Sequence, residues 1–169
     1  LATAMMDGVP VVAVTGQVST AVQGTDAFQE TDIIGITMPV TKHGYLVERV
    51  GDLPRVVAEA FRLAISGRPG PVLIDVPKDV QNAPTDAVPL PPSSRTPVPQ
   101  ADADAIEWAA RLVNQAARPV VMAGRGVVLS GTADLLRGLV EAADLPVVTT
   151  LLGLDAFPAT HPLALGLPG

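Results

Sequence analysis

Short apolar runs alternate with amphipathic segments along the first half of the chain. Val9 to Val14 and Val72 to Val76 are continuous apolar runs rich in β-branched residues, which are typical of buried strands. Thr41 to Val47 alternates enough between apolar and polar residues to predict a third strand. Thr31 to Ile36 predicts a short helix, and Asp52 to Ser66 predicts a longer one. This alternation predicts an α/β fold built on a parallel sheet.

Both predicted helices begin at a residue that can act as an N-cap. Thr31 is expected to cap the short helix, which stops before Pro39. Asp52 is expected to cap the longer helix, which has Pro54 in its first turn and ends at Gly67. Apolar residues spaced three and four apart predict an inward face on the longer helix, formed by Leu53, Val56, Val57, Ala60, Phe61 and Ala64.

The second half of the chain repeats this pattern after a proline-rich interruption. Residues 83–101 are rich in proline and small polar residues, which neither a helix nor a sheet ladder tolerates. We therefore predict a semi-rigid linker there, between one domain at 1–82 and a second at 102–169. Strands are predicted over Pro119 to Ala123 and Pro146 to Thr149, as parts of a βαβ unit with a right-handed crossover.

Two helices are predicted beside these later strands. The first begins at Asp102 or Asp104, and the second is capped by Ser130 or Thr132. Their inward faces are predicted to comprise Ile106, Ala109, Leu112, Val113 and Ala116 on the first helix, and Leu135, Leu136, Leu139, Val140 and Ala143 on the second.

Composition excludes several classes of function. The 169 residues are 48% hydrophobic and carry a net charge of −6, so no basic surface is available to bind the phosphates of a nucleic acid. With no cysteine and two distant histidines, neither disulfides nor a His or Cys metal site is expected. No apolar stretch reaches the roughly 18 residues that a membrane span needs.

The loop that follows the first predicted strand is the strongest candidate for a binding site. Residues 16–30 read GQVSTAVQGTDAFQE, and they leave the carboxyl end of a strand, where open α/β sheets bind ligands. Phe28 is expected either to pack in the core or to line a pocket beside Gln29. Asp26 and Glu30 are expected to cap and tether the loop rather than to act as an acid–base pair.

A second candidate site lies at Gly124-Arg125-Gly126, between a predicted strand and a predicted helix. This is the right context for a phosphate group to approach the backbone, but Leu129 stands where the third glycine of a dinucleotide-binding motif would be. A tight turn and a nucleotide site therefore both remain open from the residues alone.

Four motifs in one order resemble the large subunits of acetohydroxyacid synthases, also called acetolactate synthases. They are Val14 to Val18 with Gly24 to Glu30, Thr41 to His43, Ser66 to Val72, and Asp75 to Asp79. The resemblance implies the C-terminal part of a pyrimidine-binding domain followed by the first part of a Rossmann-like central domain, each a three-layer unit with a parallel sheet. It also implies an enzyme that uses thiamine diphosphate and Mg²⁺, often with FAD, to condense pyruvate with a second 2-oxo acid in branched-chain amino acid synthesis.

The resemblance also implies roles for individual residues. Phe28, Gln29 and Lys78 would line the substrate pocket, although a lysine at this position is by itself typical of a solvated turn. Arg68 would reach the flavin, whereas the residue alone indicates a cation at the C-terminal end of a helix. The remaining flavin contacts would come from Gly124, Arg125, Gly126, Thr150, Leu151 and Leu152.

The chain departs from the family pattern at three positions of the flavin site. Arg125 replaces the middle glycine of a Gly-Gly-Gly turn, so its side chain must point away from the flavin or contact its phosphates. Leu152 replaces a methionine of similar volume. Pro168 replaces a histidine and removes one expected contact.

Two family elements have no match in these 169 residues. One is the glutamate that activates thiamine diphosphate, and the other is the Gly-Asp-Gly…Asn segment that holds Mg²⁺ and the diphosphate. Because both ends also look cut from a longer chain, we expect a fragment with no catalytic or metal-binding residue. Such a fragment is expected to be inactive by itself and to bind no cofactor.

For the parent protein we expect 2-oxo acid substrates, a homodimer or homotetramer, a regulatory small subunit and a bacterial cytoplasmic location. No nucleic acid or membrane partner is expected. Two alternatives stay open: another thiamine-diphosphate carboligase or 2-oxo-acid decarboxylase, and a non-catalytic nucleotide-binding or assembly module.

Overall fold

A computed structural model describes residues 1–91 and 100–168. The chain divides into two compact units, unit 1 at Leu1–Val98 and unit 2 at Pro99–Gly169. Residues 83–91 have no regular secondary structure, and the middle of the predicted linker, residues 92–99, lies outside the described residues. The domain boundaries expected from the sequence stay a prediction.

Unit 1 is built on a three-stranded parallel sheet with β3 (Pro71–Pro77) between β1 (Val11–Gln17) and β2 (His43–Leu46). All seven residues of β3 are buried, as its continuous apolar run predicts for a central parallel strand. The sequence placed Gly16 and Gln17 in the loop, but both pair with the end of β3 and extend β1 by hydrogen bonding.

The helices of unit 1 lie where the hydrophobic periodicity predicts them, with two additions. They are α1 (Ala2–Asp7), α2 (Ile33–Thr37), α3 (Leu53–Ile65) and α4 (Lys78–Asn82), with 3₁₀ turns at Thr20–Val22, Met38–Val40 and Val50–Asp52. The additions are α1 and the short helix α4. Because α4 starts immediately after β3, it lies at the carboxyl edge of the sheet.

The predicted cap of α2 is wrong, and that of α3 is correct in position only. Asp32 rather than Thr31 caps α2, because its Oδ1 accepts a hydrogen bond from the amide of Gly35 at 2.8 Å. Asp52 occupies the N-cap position of α3 without a capping bond. Its carboxylate instead pairs with arginines three residues away on each side, at 3.2 and 3.6 Å.

The core of unit 1 forms between α3 and the sheet. Three small side chains of the predicted inward face, Val56, Ala60 and Ala64, are buried there. Phe61 was predicted on the same face but is 60% exposed, so that prediction is wrong. The buried cluster comprises Val47, Val56, Ala60, Ala64, Val72, Ile74, Val76 and Val80.

Unit 2 contains a second parallel sheet in the order β4 (Val121–Ala123), β5 (Val147–Thr149) and β6 (Ala164–Gly166). The sequence predicts β4 and β5 correctly, each two residues or fewer too long at its start. It misses β6, because its three residues, Ala164, Leu165 and Gly166, are too few to show an alternation pattern. The register shifts between Val147 and Val148 where β6 pairs with β5.

The helices of unit 2 are α5 (Ala103–Gln115), α6 (Arg125–Ser130) and α7 (Ala133–Ala143), followed by a 3₁₀ segment at Leu151–Ala156. Asp102 caps α5 as predicted, with its carboxylate accepting from the amide of Asp104 at 3.0 Å. Thr132 precedes α7 without a side-chain capping bond. The sequence reads α6 as a sharp turn, but it is a helix between Gly124 and a left-handed Gly131.

The predicted inward faces of α5 and α7 are largely wrong. No residue of α5 is buried, and only Val140 of α7 is. Leu112 and Leu139 are about half exposed, at 48% and 53%. The core comprises Ala123, Val140, Leu145, Val147, Ala156 and Phe157.

Over the described ranges, 1–91 and 100–168, no helix is long and apolar enough to cross a membrane.

Candidate functional site at the carboxyl edges of the two sheets

The loop at residues 18–30 leaves the carboxyl end of β1 in an unusual backbone conformation. Gly24, Asp26 and Gln29 have positive φ angles of 77°, 56° and 68°. Left-handed conformations at non-glycine residues are uncommon, and they persist where surrounding contacts hold them. We therefore expect specific contacts to fix the backbone conformation of this loop.

Glu30 ties the loop to itself. Its carboxylate accepts hydrogen bonds from the backbone amide of Gly24 and, at 3.0 Å, from that of Ala27. The Gly24 amide is the main reason why the pKa of Glu30 lies below its ordinary value. The predicted tethering role is confirmed for Glu30, while the Asp26 side chain makes no hydrogen bond within the described part of the chain.

Phe28 and Gln29 lie on the outside of this loop. The Phe28 side chain is 89% exposed, so the alternative that it packs in the core of unit 1 is wrong. Gln29 is also exposed. Neither lines the shallow depression of about 230 Å³ beside the loop, whose walls include Gln17, Gln23, Glu30, Thr31, Leu46 and Asp75. Their place in a substrate pocket stays a prediction.

The first part of the loop is tied at Thr20 to α4, next to Lys78. Asp79 accepts from the backbone amide of Thr20 at 3.0 Å and from its hydroxyl at 2.5 Å. These bonds, the hydroxyl first, lower the pKa of Asp79. Lys78 is the exposed first residue of α4. The loop is thus hydrogen bonded to Asp79, the residue that follows Lys78.

Sequence reasoning missed the polar network at the base of the loop. Asp75 of β3 is only 1% exposed and accepts from the Thr15 hydroxyl at 2.8 Å and from the Gln17 amide at 3.1 Å. The available signal was an aspartate inside the apolar run VLIDV, since a buried carboxylate needs hydrogen-bond partners.

Arg68 and Lys42 both serve helix ends in unit 1. The Arg68 guanidinium donates to the carbonyl of Met6, so it satisfies the C-terminal turn of α1 rather than that of α3. The Lys42 ammonium donates to the carbonyls of Leu63 and Ser66 at 2.5 and 2.6 Å, at the end of α3. Burial is the main cause of a lowered pKa at Lys42.

In unit 2 the structure brings together most of the predicted flavin contacts. Gly124 and Arg125 lead from β4 into α6, and Thr150 follows β5 at the same edge. The Thr150 amide donates to the carbonyl of Ala123 at 2.9 Å, and a Cβ added to Gly124 would lie 3.6 Å from the Thr150 hydroxyl. Space is open around the position where Gly126 would carry a side chain.

The remaining residues of this group border the same edge. Leu151 and Leu152 lie in the 3₁₀ segment and are 68% and 41% exposed. Arg125 is half-buried, and Pro168 is exposed. Within residues 1–91 and 100–168, no three His, Cys, Asp or Glu side chains are grouped so that they could hold a metal ion.

Comparison with known proteins decides between the readings that these sites allow. Residues 106–169 match the family model for the central domain of thiamine pyrophosphate enzymes. The chain is 51% identical over 173 residues to the acetolactate synthase large subunit of Corynebacterium glutamicum, and 45% identical over 170 residues to the acetolactate synthase isozyme 1 large subunit of Escherichia coli K12. The alignments cover all of this chain and 28% and 30% of those relatives.

Part of the chain thus resembles the central domain of thiamine pyrophosphate enzymes, and the whole chain resembles a segment of acetolactate synthase large subunits. A solved structure of a thiamin diphosphate-dependent enzyme from Mycobacterium smegmatis shares the fold, with a TM-score of 0.80 and 25% identity over 99% of this chain and 33% of that one. The predicted α/β fold class and the resemblance to acetolactate synthase large subunits are confirmed. This chain spans less than a third of the length of those relatives.

The family match falls on unit 2. The matched residues begin within α5 and run to residue 169, so unit 2 is similar to the central domain of thiamine pyrophosphate enzymes. The edge that carries Gly124 and Thr150 lies within the matched residues. The individual contacts with a cofactor stay predictions.

Acid is expected to loosen the 18–30 loop. Because the folded-state pKa of Glu30 is lowered from 4.5, the carboxylate stabilises the loop fully above that ordinary value. The stabilisation is lost as the pH falls through the lowered value. Hydrogen exchange at Gly24 and Ala27, corrected for intrinsic rates, should therefore accelerate on acidification. In Glu30→Gln it should be fast already at neutral pH, and equal protection in both proteins would refute the tether.

Proposed function

We propose that this chain is a segment of an acetolactate synthase, which condenses pyruvate with pyruvate or 2-oxobutyrate and releases CO₂. One observation carries the proposal: relatives of that name match every part of the chain at 45% to 51% identity. The 18–30 loop fits this role because it is held in a defined conformation at the carboxyl edge of a parallel sheet, where such folds bind ligands.

The exposed residues around the loop would form a wall of the substrate pocket. The amide of Gln29 can hydrogen bond to an oxo or hydroxyl group without adding charge, and Phe28 offers an apolar face beside it. Lys78, one residue from the Asp79 tie, would lie at the pocket entrance. Thiamine diphosphate, when bound, supplies the carbanion chemistry, and these side chains would orient the substrates. We assign no Mg²⁺ ligand to the described residues.

The edge of the unit 2 sheet is the proposed contact with FAD. Glycines at 124 and 126 let a ligand approach the backbone, and the space around Gly126 is open. Thr150 adds a hydroxyl beside Gly124, while Leu151 and Leu152 add exposed apolar surface. Arg125 would pair with the flavin diphosphate. Arg68 is the proposed contact from unit 1, although its guanidinium also donates to Met6.

Assembly and location follow the same proposal. Because relatives are named large subunits, we propose a homo-oligomer that binds a regulatory small subunit. A cytoplasmic location is proposed for a bacterial protein of this kind. A 2-oxo-acid decarboxylase would release acetaldehyde from pyruvate, and a non-catalytic module would release nothing, so product analysis separates the alternatives.

The complete gene product is expected to form acetolactate from pyruvate with thiamine diphosphate and Mg²⁺, whereas the 169-residue chain alone should form none. In the complete protein, Gln29→Ala should slow carboligation about five- to thirtyfold, since a lost hydrogen bond in the transition state costs about 1–2 kcal/mol. Gln100→Ala removes an exposed amide outside the loop and should leave the rate unchanged. Acetaldehyde as the only product would contradict the proposal.

Flavin binding can be tested at Arg125. Arg125→Gln in the complete protein should weaken FAD binding about tenfold or more, because a charge-assisted hydrogen bond contributes about 1.5–3 kcal/mol. The control Arg111→Gln removes the same charge from an exposed ion pair with Glu107. FAD titration that shows equal affinity for both variants would mean that Arg125 faces solvent.

A further inference from the structure

A single side chain joins the two ends of the 18–30 loop. The carbonyl oxygen of the Gln17 amide accepts from the backbone N–H of Val18 at 2.9 Å, at the start of the loop. Its amino group donates to the backbone carbonyl of Thr31 at 2.7 Å, immediately after the loop. The loop is thus closed at its base by hydrogen bonds that converge on one amide.

The second hydrogen of that amino group determines which way the amide faces. It points to Oδ2 of Asp75 at 3.1 Å, and Oδ1 of the same carboxylate accepts from Thr15 at 2.8 Å. A carboxylate accepts but does not donate, so a flipped Gln17 would set two oxygens against each other. It would also turn its amino group toward the Val18 N–H. Asp75 therefore selects the one orientation of Gln17 that holds both loop ends.

The burial of Asp75 stabilises this orientation of the Gln17 amide. Asp75 is 1% exposed and lies in the central strand of the sheet, so it cannot exchange Gln17 for water without a cost. The other ties act elsewhere: Asp79 holds the loop at Thr20, two residues after its start, and Glu30 holds the segment from Gly24. Gln23 also donates to the carbonyl of Val18 at 3.2 Å, but among the described contacts Gln17 is the side chain that bonds to both Val18 and Thr31.

We propose that Gln17 and Asp75 are positioning residues that close the base of the 18–30 loop and so set the position of Phe28 and Gln29. Where Phe28 and Gln29 form a wall of the substrate pocket, Gln17 and Asp75 also influence which of two competing 2-oxo acids is used. This second part rests on the proposed function, whereas the closure of the loop does not.

Hydrogen exchange of the complete protein tests the closure. Gln17→Met keeps the length of the side chain but removes all three hydrogen bonds, and the amides of residues 18–31 should exchange about tenfold faster. Asp75→Asn should act in the same direction, because asparagine offers one acceptor oxygen for the two donors, the Thr15 hydroxyl and the Gln17 amide. Thr15→Val removes the other hydrogen bond of Asp75 and should leave the loop amides unchanged. Equal loop protection in Gln17→Met and wild type would overturn the proposal.

Product choice tests the effect on the pocket. With pyruvate and 2-oxobutyrate together, the ratio of the two condensation products does not depend on how much enzyme is folded. Gln17→Met should change this ratio twofold or more, and Thr15→Val should not. A loosened loop with an unchanged ratio would overturn the pocket role. A wild-type protein that forms neither product would refute the proposed function, and the exchange experiment would still decide the closure.

Discussion

Replacing Gly153 with alanine is expected to destabilise unit 2 by about 2–3 kcal/mol, as overpacking against rigid neighbours does. A Cβ at this position would lie 2.6 Å from the carbonyl oxygen of Ala123 and 2.9 Å from backbone atoms of Gly124. These are backbone atoms at the end of β4, so no flexible side chain can move aside. The 3₁₀ segment would have to withdraw from the strand that it contacts.

The measurement is denaturant unfolding followed by the fluorescence of Trp108, the only tryptophan, which lies on α5 of the same unit. Gly138→Ala is the matched control, because no atom lies within 4 Å of its Cβ position on α7. That control should stabilise the helix by about 0.5–1 kcal/mol. Equal behaviour of the two variants would show that the segment does not lie against β4.

Lys42→Met is expected to destabilise unit 1 by about 2–3 kcal/mol. The ammonium group donates to the carbonyl oxygens of Leu63 and Ser66 and, at 3.2 Å, to the Ser66 hydroxyl. Hydrogen bonds from a charged donor contribute about 1.5–3 kcal/mol each, and the burial that lowers the pKa of Lys42 offsets part of this. Methionine keeps the packing of the aliphatic stem against Gly70 but leaves the end of α3 without its cap.

The other lysine of the chain is a matched control. Lys78 is exposed, and Lys78→Met should change the free energy of unfolding by less than about 0.5 kcal/mol. Hydrogen exchange at β2 and at the last turn of α3 should accelerate in the Lys42 variant alone. A similar effect from both substitutions would mean that the charge, and not the cap, is what unit 1 needs.

The two predictions concern contacts that no local pattern reveals, and the same holds for the candidate site. Gln17 and Asp75 are 58 residues apart, and Thr20 and Asp79 are 59 apart. The motifs containing Gln17, Asp75 and Asp79 could be compared with a known family, which led to the correct fold class and to a resemblance that the comparisons confirm. Their hydrogen bonds could not be predicted, since they depend on the register that sets Gln17 of β1 opposite the end of β3.

Sequence alone determined the elements whose signal is local. The continuous apolar runs of β1 and β3 and the periodicity of α3 identify buried strands and an amphipathic helix, because burial on one or two faces constrains every residue along the element. Tertiary structure decided what depends on the available partners. Phe28 is exposed, no residue of α5 is buried, and the buried Asp75 accepts hydrogen bonds from Thr15 and Gln17. A sequence pattern shows that a face is apolar or that a group is polar. Only the packed chain determines which surface covers the apolar face and which partner hydrogen bonds to the polar group.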